Sequence, residues 1–430
     1  MLLRKIKGVH LLGNKEMSIS EPIEEFLNPE FVYIPLLAQQ TVCKALVAVG
    51  DKVLMGQPVA KRDDRFGHNV HSSVSGEVTG IKKMWHSSGK MIEMLEIKND
   101  FSNKADPAIQ LNNDLDSLTK EAIVERVKNA GVVGLGGSGF PTYFKLMPPV
   151  PIDAVVINAA ECEPYITSDY VLIKAETDRL MRGLTYVMKA VNAEKGIIAI
   201  KKTKQPAIDA LNAVVANYPG VSVYLLKDEY PAGWEKYIVE EITKKTYDRL
   251  PSEAGVVVNN VQTAIAVADA VEQNMPLIHK VITITGEGVN KPHNFLVKIG
   301  TKVNTLIEKA GGYTDPKDDP YFIAGGPMTG LSLIFDEVVV NSSLGSIIVK
   351  PRKEILINPN CLGCGRCADV CPAFLNPVEI KRAYEDKDTS YLLEIGATKC
   401  VSCGLCSYIC PSRIELTDAT TRAKALAMKG

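Results

Sequence analysis

Eight of the ten cysteines fall between Cys361 and Cys410, in two copies of one spacing. The first is Cys361-Leu-Gly-Cys364-Gly-Arg-Cys367-Ala-Asp-Val-Cys371-Pro372 and the second is Cys400-Val-Ser-Cys403-Gly-Leu-Cys406-Ser-Tyr-Ile-Cys410-Pro411. A C-x2-C-x2-C-x3-C-P run is the spacing by which thiolates hold 4Fe–4S cubes, and the fourth cysteine of each run ligates the other cube in two-cluster proteins. Cys361, Cys364, Cys367 and Cys410 are therefore expected around one cluster, and Cys400, Cys403, Cys406 and Cys371 around the other. The small residues between them leave backbone N–H groups free to face cluster sulfurs. Structural zinc would need only paired cysteines and leaves two full copies with trailing Cys-Pro unexplained. Such clusters pass electrons singly, so this segment is a wire that needs a source and a sink.

A second group of chemistry-bearing residues lies upstream. Gly131-Val-Val-Gly134-Leu-Gly136-Gly137-Ser138-Gly139-Phe140-Pro141-Thr142 precedes Lys145. That composition exposes consecutive N–H groups and permits positive φ, as a nest around phosphate oxygens requires, with Lys145 as compensating charge. It is neither a Walker A loop nor the G-x-G-x-x-G that follows a strand; by itself it reads equally as a turn-rich surface loop. Carboxylates and amides recur in Asn158-Ala-Ala-Glu161-Cys-Glu163-Pro164-Tyr165, in Tyr230-Pro-Ala-Gly233-Trp234-Glu235 and in Asn259-Asn260-Val261-Gln262-Thr263. By type alone, Glu161 and Glu163 are as compatible with solvated carboxylates at a strand end, and Asn259-Asn260 with a turn.

Together these segments resemble the NADH-oxidising flavoprotein subunit of respiratory complex I. Gly134 to Pro141 with Thr142 and Lys145 is similar to its flavin-phosphate loop, and the other segments resemble its Asn-Ala-Asp-Glu-x-Glu-Pro, Tyr-x-x-Gly-Glu-Glu and Asn-Asn-Val-Glu-Thr stretches. The domain order and the phrase Ile157 to Tyr165 resemble the RnfC family, the NADH-dehydrogenase subunit of Rnf ferredoxin:NAD oxidoreductase, over essentially the whole chain. The resemblance implies FMN with its phosphate on Gly134, Gly136, Gly137 and Gly139 beside Lys145. Its ribityl chain and ring edge would meet Asn158, Asn259, Asn260 and Thr263, with Tyr230, Gly233 and Glu235 beside the isoalloxazine. Glu161 and Glu163 would line the flavin–nicotinamide site, which with Glu235 makes three carboxylates at the reacting centre. The implied activity is oxidation of NADH (or reduction of NAD) through FMN, with single electrons passing two 4Fe–4S clusters to a partner. That partner would be the Rnf membrane subunits or, in soluble relatives, a cytosolic reductase of the proline reductase or cobalamin reductase type. A non-catalytic iron–sulfur relay is the third reading, because Ala160 and Trp234 replace acidic residues of the complex I segments. The start of the chain departs from the family: Gly8-Val-His10-Leu-Leu-Gly13 and Ala38 to Cys43 stand where RnfC has Gly-Gly-x-His-Pro and His-x-Gly-Ala-Pro, which bears on docking to the membrane complex. Cys43 is a candidate redox residue for a soluble version, beside the plainer reading of a buried thiol; Cys162 reads as buried and inert.

The elements that must position these residues follow an α/β multidomain plan. Short β runs punctuated by glycine fill the first part (Phe31–Leu36, Ala45–Val49, Val70–Val78), and two segments around Val49–Val59 and Val74–Val78 resemble barrel-sandwich half-motifs without an evident carrier lysine. Asn99 to Ser117 reads as a polar linker. Helical and strand patterns then alternate, with strands near Asp153–Asn158, Gly196–Ile200 and Val221–Leu226 and helices near Leu118–Lys128, Glu176–Val191 and Gln205–Tyr218, which predicts a helix-covered parallel sheet of Rossmann-like type. β character returns after residue 278 around one helix, Val303–Ala310, as in a β-grasp module of the SLBB kind. The expected domains are 1–112 (barrel-sandwich), 113–275 (FMN/NADH-binding), 276–350 (SLBB β-grasp) and 351–430 (two-cluster ferredoxin type). At 430 residues, 49 Lys+Arg against 50 Asp+Glu give a net charge of -1, which disfavours a nucleic-acid partner. No run approaches the ~18 apolar residues of a membrane-spanning helix, and Met1-Leu-Leu-Arg-Lys5 is charged too early for a signal peptide. The expected location is cytoplasmic, peripheral on the inner membrane if the chain serves an Rnf complex.

Overall fold

The computed structural model describes residue 6 and residues 8–315, 319–352 and 360–429. At the N-terminal end, Phe31–Pro35, Met91–Asn99, Gly76–Trp85 and Lys52–Val53 form one antiparallel sheet, and Lys44–Ala45, Pro58–Arg62 and His68–His71 a second. Val32, Ile34, Val59, Val78, Leu95 and Ile97 fill the space between them. The run expected over Val70–Val78 is broken, since Ser72 turns away to Gln57 and Gly76 passes so close to Lys98 that a Cβ would lie 1.9 Å from its carbonyl oxygen.

The four-stranded sheet that follows is parallel throughout, in the order Val221–Leu226, Lys195–Lys201, Ala154–Ala159, Val256–Asn260. Helices Lys120–Asn129, Thr177–Val191 and Val261–Gln273 cover one face, where Leu180, Leu184, Val187 and Val267 meet Val155 and Ile157; helix Glu235–Thr243 covers the other through Tyr237, Ile238 and Val239 against Val156 and Val258. Strands apolar on both faces are what burial under two helical layers demands. The carboxyl ends of Ala154–Ala159 and Val256–Asn260 lie side by side, so the segments after them share one crevice, the usual ligand position in such sheets.

The β-grasp part is a six-stranded mixed sheet packed on helix Val303–Lys309. One edge strand is Ile23–Phe26, paired in parallel with His293–Lys298, so a segment expected in the 1–112 part joins the sheet of the expected 276–350 part. The expected linker is docked: Gln110 and Asn112 donate backbone N–H groups to Gln273 and Glu272, and Arg126 forks onto Asp114. In the last part, each cysteine run places a glycine at the cap of a short helix: Gly365 (φ 73°) before Arg366–Asp369 and Gly404 (φ 80°) before Leu405–Tyr408. Left-handed φ at both caps favours glycine and turns each ligand loop back on itself. Helices Pro377–Glu385 and Leu416–Ala427 bury Ile380, Ala383 and Ala423 between the two halves. Among the described residues, no helix is long and apolar enough to cross a membrane.

Candidate functional site

The crevice opens into a cavity of about 420 Å³. Gly134, Gly136 and Gly137 form one wall, with Lys145 and Asn158 beyond them. Glu161, Glu163, Tyr230, Gly233 and Glu235 line the rim, and Asn259, Asn260 and Thr263 the floor. Gly139 alone among the expected flavin contacts lies elsewhere, on a neighbouring cavity of about 640 Å³ under the barrel-sandwich part. Its N–H closes the glycine loop onto the Gly134 carbonyl, 3.0 Å away.

The loop hangs between helix Lys120–Asn129 and the short helix Thr142–Lys145, and Thr263 holds it by accepting the Leu135 N–H at 2.9 Å. Thr263 is thus a loop-positioning group. Gly137 has φ 104°, and a Cβ there would meet nothing within 4 Å, so its face of the loop is open to the cavity. Lys145 Nζ donates to the Val258 carbonyl at 2.9 Å and stands 3.7 Å from Glu235. Asn158 holds the segment beside Tyr230 through the Gly233 carbonyl, 2.9 Å away. Asn259 Nδ2 is buried without a protein partner, an unpaired donor at the floor. The open glycine face, a cation beside it and this orphan amide fit a phosphorylated flavin bearing ring carbonyls.

The carboxylates are engaged rather than solvated. Glu161, at φ 38°, accepts the Asp169 N–H at 2.7 Å and lies 3.5 Å from Lys15 Nζ. Glu163 accepts from Met328 N–H at 3.0 Å and Thr329 Oγ1 at 2.6 Å; burial holds its pKa above the ordinary carboxylate value. These bonds tie the cavity to the β-grasp part, where a Cβ on Gly326 would fall 2.2 Å from Glu163 Oε2. Lys15, Asp169, Gly325, Gly326 and Thr329 were not singled out in the sequence; only the pair Gly325-Gly326 carried a local signal.

Asp169 accepts from Asn260 Nδ2 at 2.6 Å, yet burial, and then the Glu161 charge, push its pKa up to about 7. Folding raises this pKa above its ordinary 3.8, so its stabilising contribution is complete below that value and is lost as the pH climbs through about 7. Asp169→Asn cannot ionise and is expected to flatten the pH dependence of the flavin-free protein's unfolding free energy between about 4 and about 7, measured by denaturant titration. An unchanged slope would contradict the assignment.

The cysteines surround two cavities. Cys371, Cys400, Cys403 and Cys406 line one, and Cys361, Cys364, Cys367 and Cys410 the other, the interleaved sets that the spacing suggests. Among the described residues, no three His, Cys, Asp or Glu side chains close on a single metal ion. Four thiols spaced round a cavity suit a cube, in which each iron takes one thiolate. Backbone N–H groups of Gly363, Leu375 and Ser402 each point at a cysteine sulfur at 3.4 Å. The first set abuts the 420 Å³ cavity, which Cys403 also lines; in the second, Cys361 and Cys364 are exposed and Leu362 between them is 67% exposed. Burial pushes the Cys43 thiol up to about 11, inside the barrel-sandwich core, and does the same to Cys162 beside the 420 Å³ cavity. Neither environment favours a thiolate.

Family profiles match the same parts in order: the RnfC barrel sandwich hybrid domain over residues 3–102, the Nuo51 FMN-binding domain over 127–269, the SLBB domain over 281–332 and a 4Fe-4S dicluster domain over 360–414. Fold and cofactors define an iron–sulfur flavoprotein, an oxidoreductase electron-transfer protein with FMN and 4Fe–4S clusters. The chain is 35% identical over 380 residues to the RnfC-type component of the Na(+)-translocating ferredoxin:NAD(+) oxidoreductase complex of Acetobacterium woodii, covering 87% of this chain and 85% of that one. It is 33% identical to the corresponding component of the proton-translocating ferredoxin:NAD(+) oxidoreductase complex of Clostridium ljungdahlii, over 86% of this chain and 82% of that one. It is also 33% identical to the corresponding component of the ion-translocating oxidoreductase complex of Vibrio cholerae, where it spans only 49% of the longer relative. The chain belongs to the RnfC family.

Proposed function

We propose that this chain takes hydride from NADH at FMN bound in the 420 Å³ cavity and relays single electrons through the Cys371/Cys400/Cys403/Cys406 cluster, then the Cys361/Cys364/Cys367/Cys410 cluster, to a partner protein. The observation that carries this order is that Cys403 lines both the flavin cavity and the inner cluster cavity, while the outer set reaches the surface at Leu362. Bound FMN supplies the conversion of a two-electron donation into one-electron steps; the protein supplies binding, orientation and electrostatics. Gly136 and Gly137 offer N–H groups, and Lys145 charge, to its phosphate. Asn259 offers its free Nδ2 to the flavin, and Asn158 fixes the Tyr230–Glu235 rim through Gly233. Glu161 and Glu163, held by Asp169, Thr329 and Met328, form a rigid acidic edge where the nicotinamide would enter.

The Acetobacterium woodii and Clostridium ljungdahlii relatives belong to ferredoxin:NAD(+) oxidoreductase complexes, which supports a place for this chain as a peripheral member on the cytoplasmic face of such a complex, held by protein contacts. Affinity purification from the native host is expected to recover Rnf membrane subunits; a soluble reductase in their place would move the partner without changing the internal path. The catalytic reading is tested separately. Purified protein is expected to release FMN on denaturation and to reduce ferricyanide with NADH, and clusters without flavin or NADH oxidation would leave only an iron–sulfur relay.

A further inference from the structure

Tyr230 links the flavin cavity to the inner cluster's ligand loop. Tyr230 is 3% exposed, borders the flavin cavity, and donates its hydroxyl to the backbone carbonyl of Cys403 at 2.7 Å. Its backbone is clamped to Val9 in both directions, N–H to carbonyl at 2.8 Å each way, so the ring's position is fixed from the N-terminal arm. On its other side the Cys403 loop is pressed against the β-grasp part, where a Cβ on Gly404 would lie 2.5 Å from the Met328 carbonyl oxygen. Met328 in turn donates its N–H to Glu163. The ligand loop is therefore gripped between two segments that both wall the flavin cavity.

We infer that Tyr230 is a positioning residue for electron transfer, whose hydroxyl fixes the Cys403 ligand loop and raises the reduction potential of the inner cluster. This rests on the reading that FMN and that cluster occupy the two cavities. A buried O–H dipole with its positive end toward the ligand loop favours the more negative, reduced cluster, and the low local dielectric strengthens the effect. With both groups bound, one electron would pass from reduced flavin to the inner cluster; no bond to Tyr230 forms or breaks, and its proton stays in place.

The test is an anaerobic redox titration of the holoprotein with a chemical reductant and mediators, followed by EPR. The outer cluster signal is identified as the one lost in Cys364→Ala. Tyr230→Phe is expected to shift the midpoint of the inner cluster to more negative potential and leave the outer one in place. Incorporation of 3-fluorotyrosine at position 230, a stronger donor of nearly the same shape, is expected to shift it the other way. If Tyr230→Phe fails to load clusters, the fluorotyrosine protein decides. An inner midpoint that stays put, or parallel shifts of both clusters, overturns the inference. If Cys364→Ala removes neither signal, it is the cluster assignment beneath it that fails.

Discussion

Replacing Cys403 by alanine is expected to stop NADH from reducing either cluster, whereas replacing Cys364 removes only the outer cluster and leaves NADH-driven reduction of the inner one intact. The asymmetry follows from position. Cys403 belongs to the set that abuts the flavin cavity, and Cys364 to the set whose Cys361 and Cys364 reach the surface. A series path fails completely when its first element is removed and only downstream when its second is. In both variants flavin bleaching by NADH should continue, since the glycine loop and the rim carboxylates belong to the α/β domain. The measurement is EPR of samples frozen after anaerobic NADH addition. Equal loss in both variants, or reduction of the outer cluster in the Cys403 variant, would contradict the order.

Gly137→Val is expected to yield a folded protein with full cluster content and almost no flavin. Gly137 sits at φ 104° with open space where a Cβ would go, so a valine both strains the loop and fills the place proposed for the phosphate. Strain of this kind costs on the order of 1–3 kcal/mol, and the lost N–H contacts add to it. Affinity for FMN should fall by at least about a hundredfold, a difference of roughly 2.7 kcal/mol. The flavin-to-protein ratio after purification, and equilibrium binding of added FMN, check it; near-stoichiometric flavin would place the phosphate elsewhere.

The sequence was most informative where chemistry dictates spacing or where local periodicity decides an element. The cysteine runs led directly to two interleaved four-thiol cavities. Valine and isoleucine runs between helical patterns located three of the four parallel strands within one residue, Val221–Leu226 at both ends, and missed Val256–Asn260. What was hidden depends on partners distant in sequence. Nothing in Ile23–Phe26 signals that it pairs with His293–Lys298, because an edge strand of four residues has no pattern of its own. Lys15 looks like a surface lysine until Glu161 and the Ile166 carbonyl close over it. Asp169 lies in the first turn of helix Ser168–Ala175, where an acidic residue is unremarkable, and only the approach of Asn260 and Glu161 makes it a buried acid in the proposed flavin site. Gly139 and Thr263 also have structural roles that their types did not signal: one closes the glycine loop and the other holds it.

The most direct test of the electron path is rapid freeze-quench of the holoprotein after anaerobic mixing with NADH, read by flavin absorbance and cluster EPR on the same samples. The expected result is loss of flavin absorbance first, then reduction of the cluster held by Cys371, Cys400, Cys403 and Cys406, then of the one held by Cys361, Cys364, Cys367 and Cys410. Clusters reduced while the flavin stays oxidised, or an outer cluster that fills before the inner one, would contradict the path.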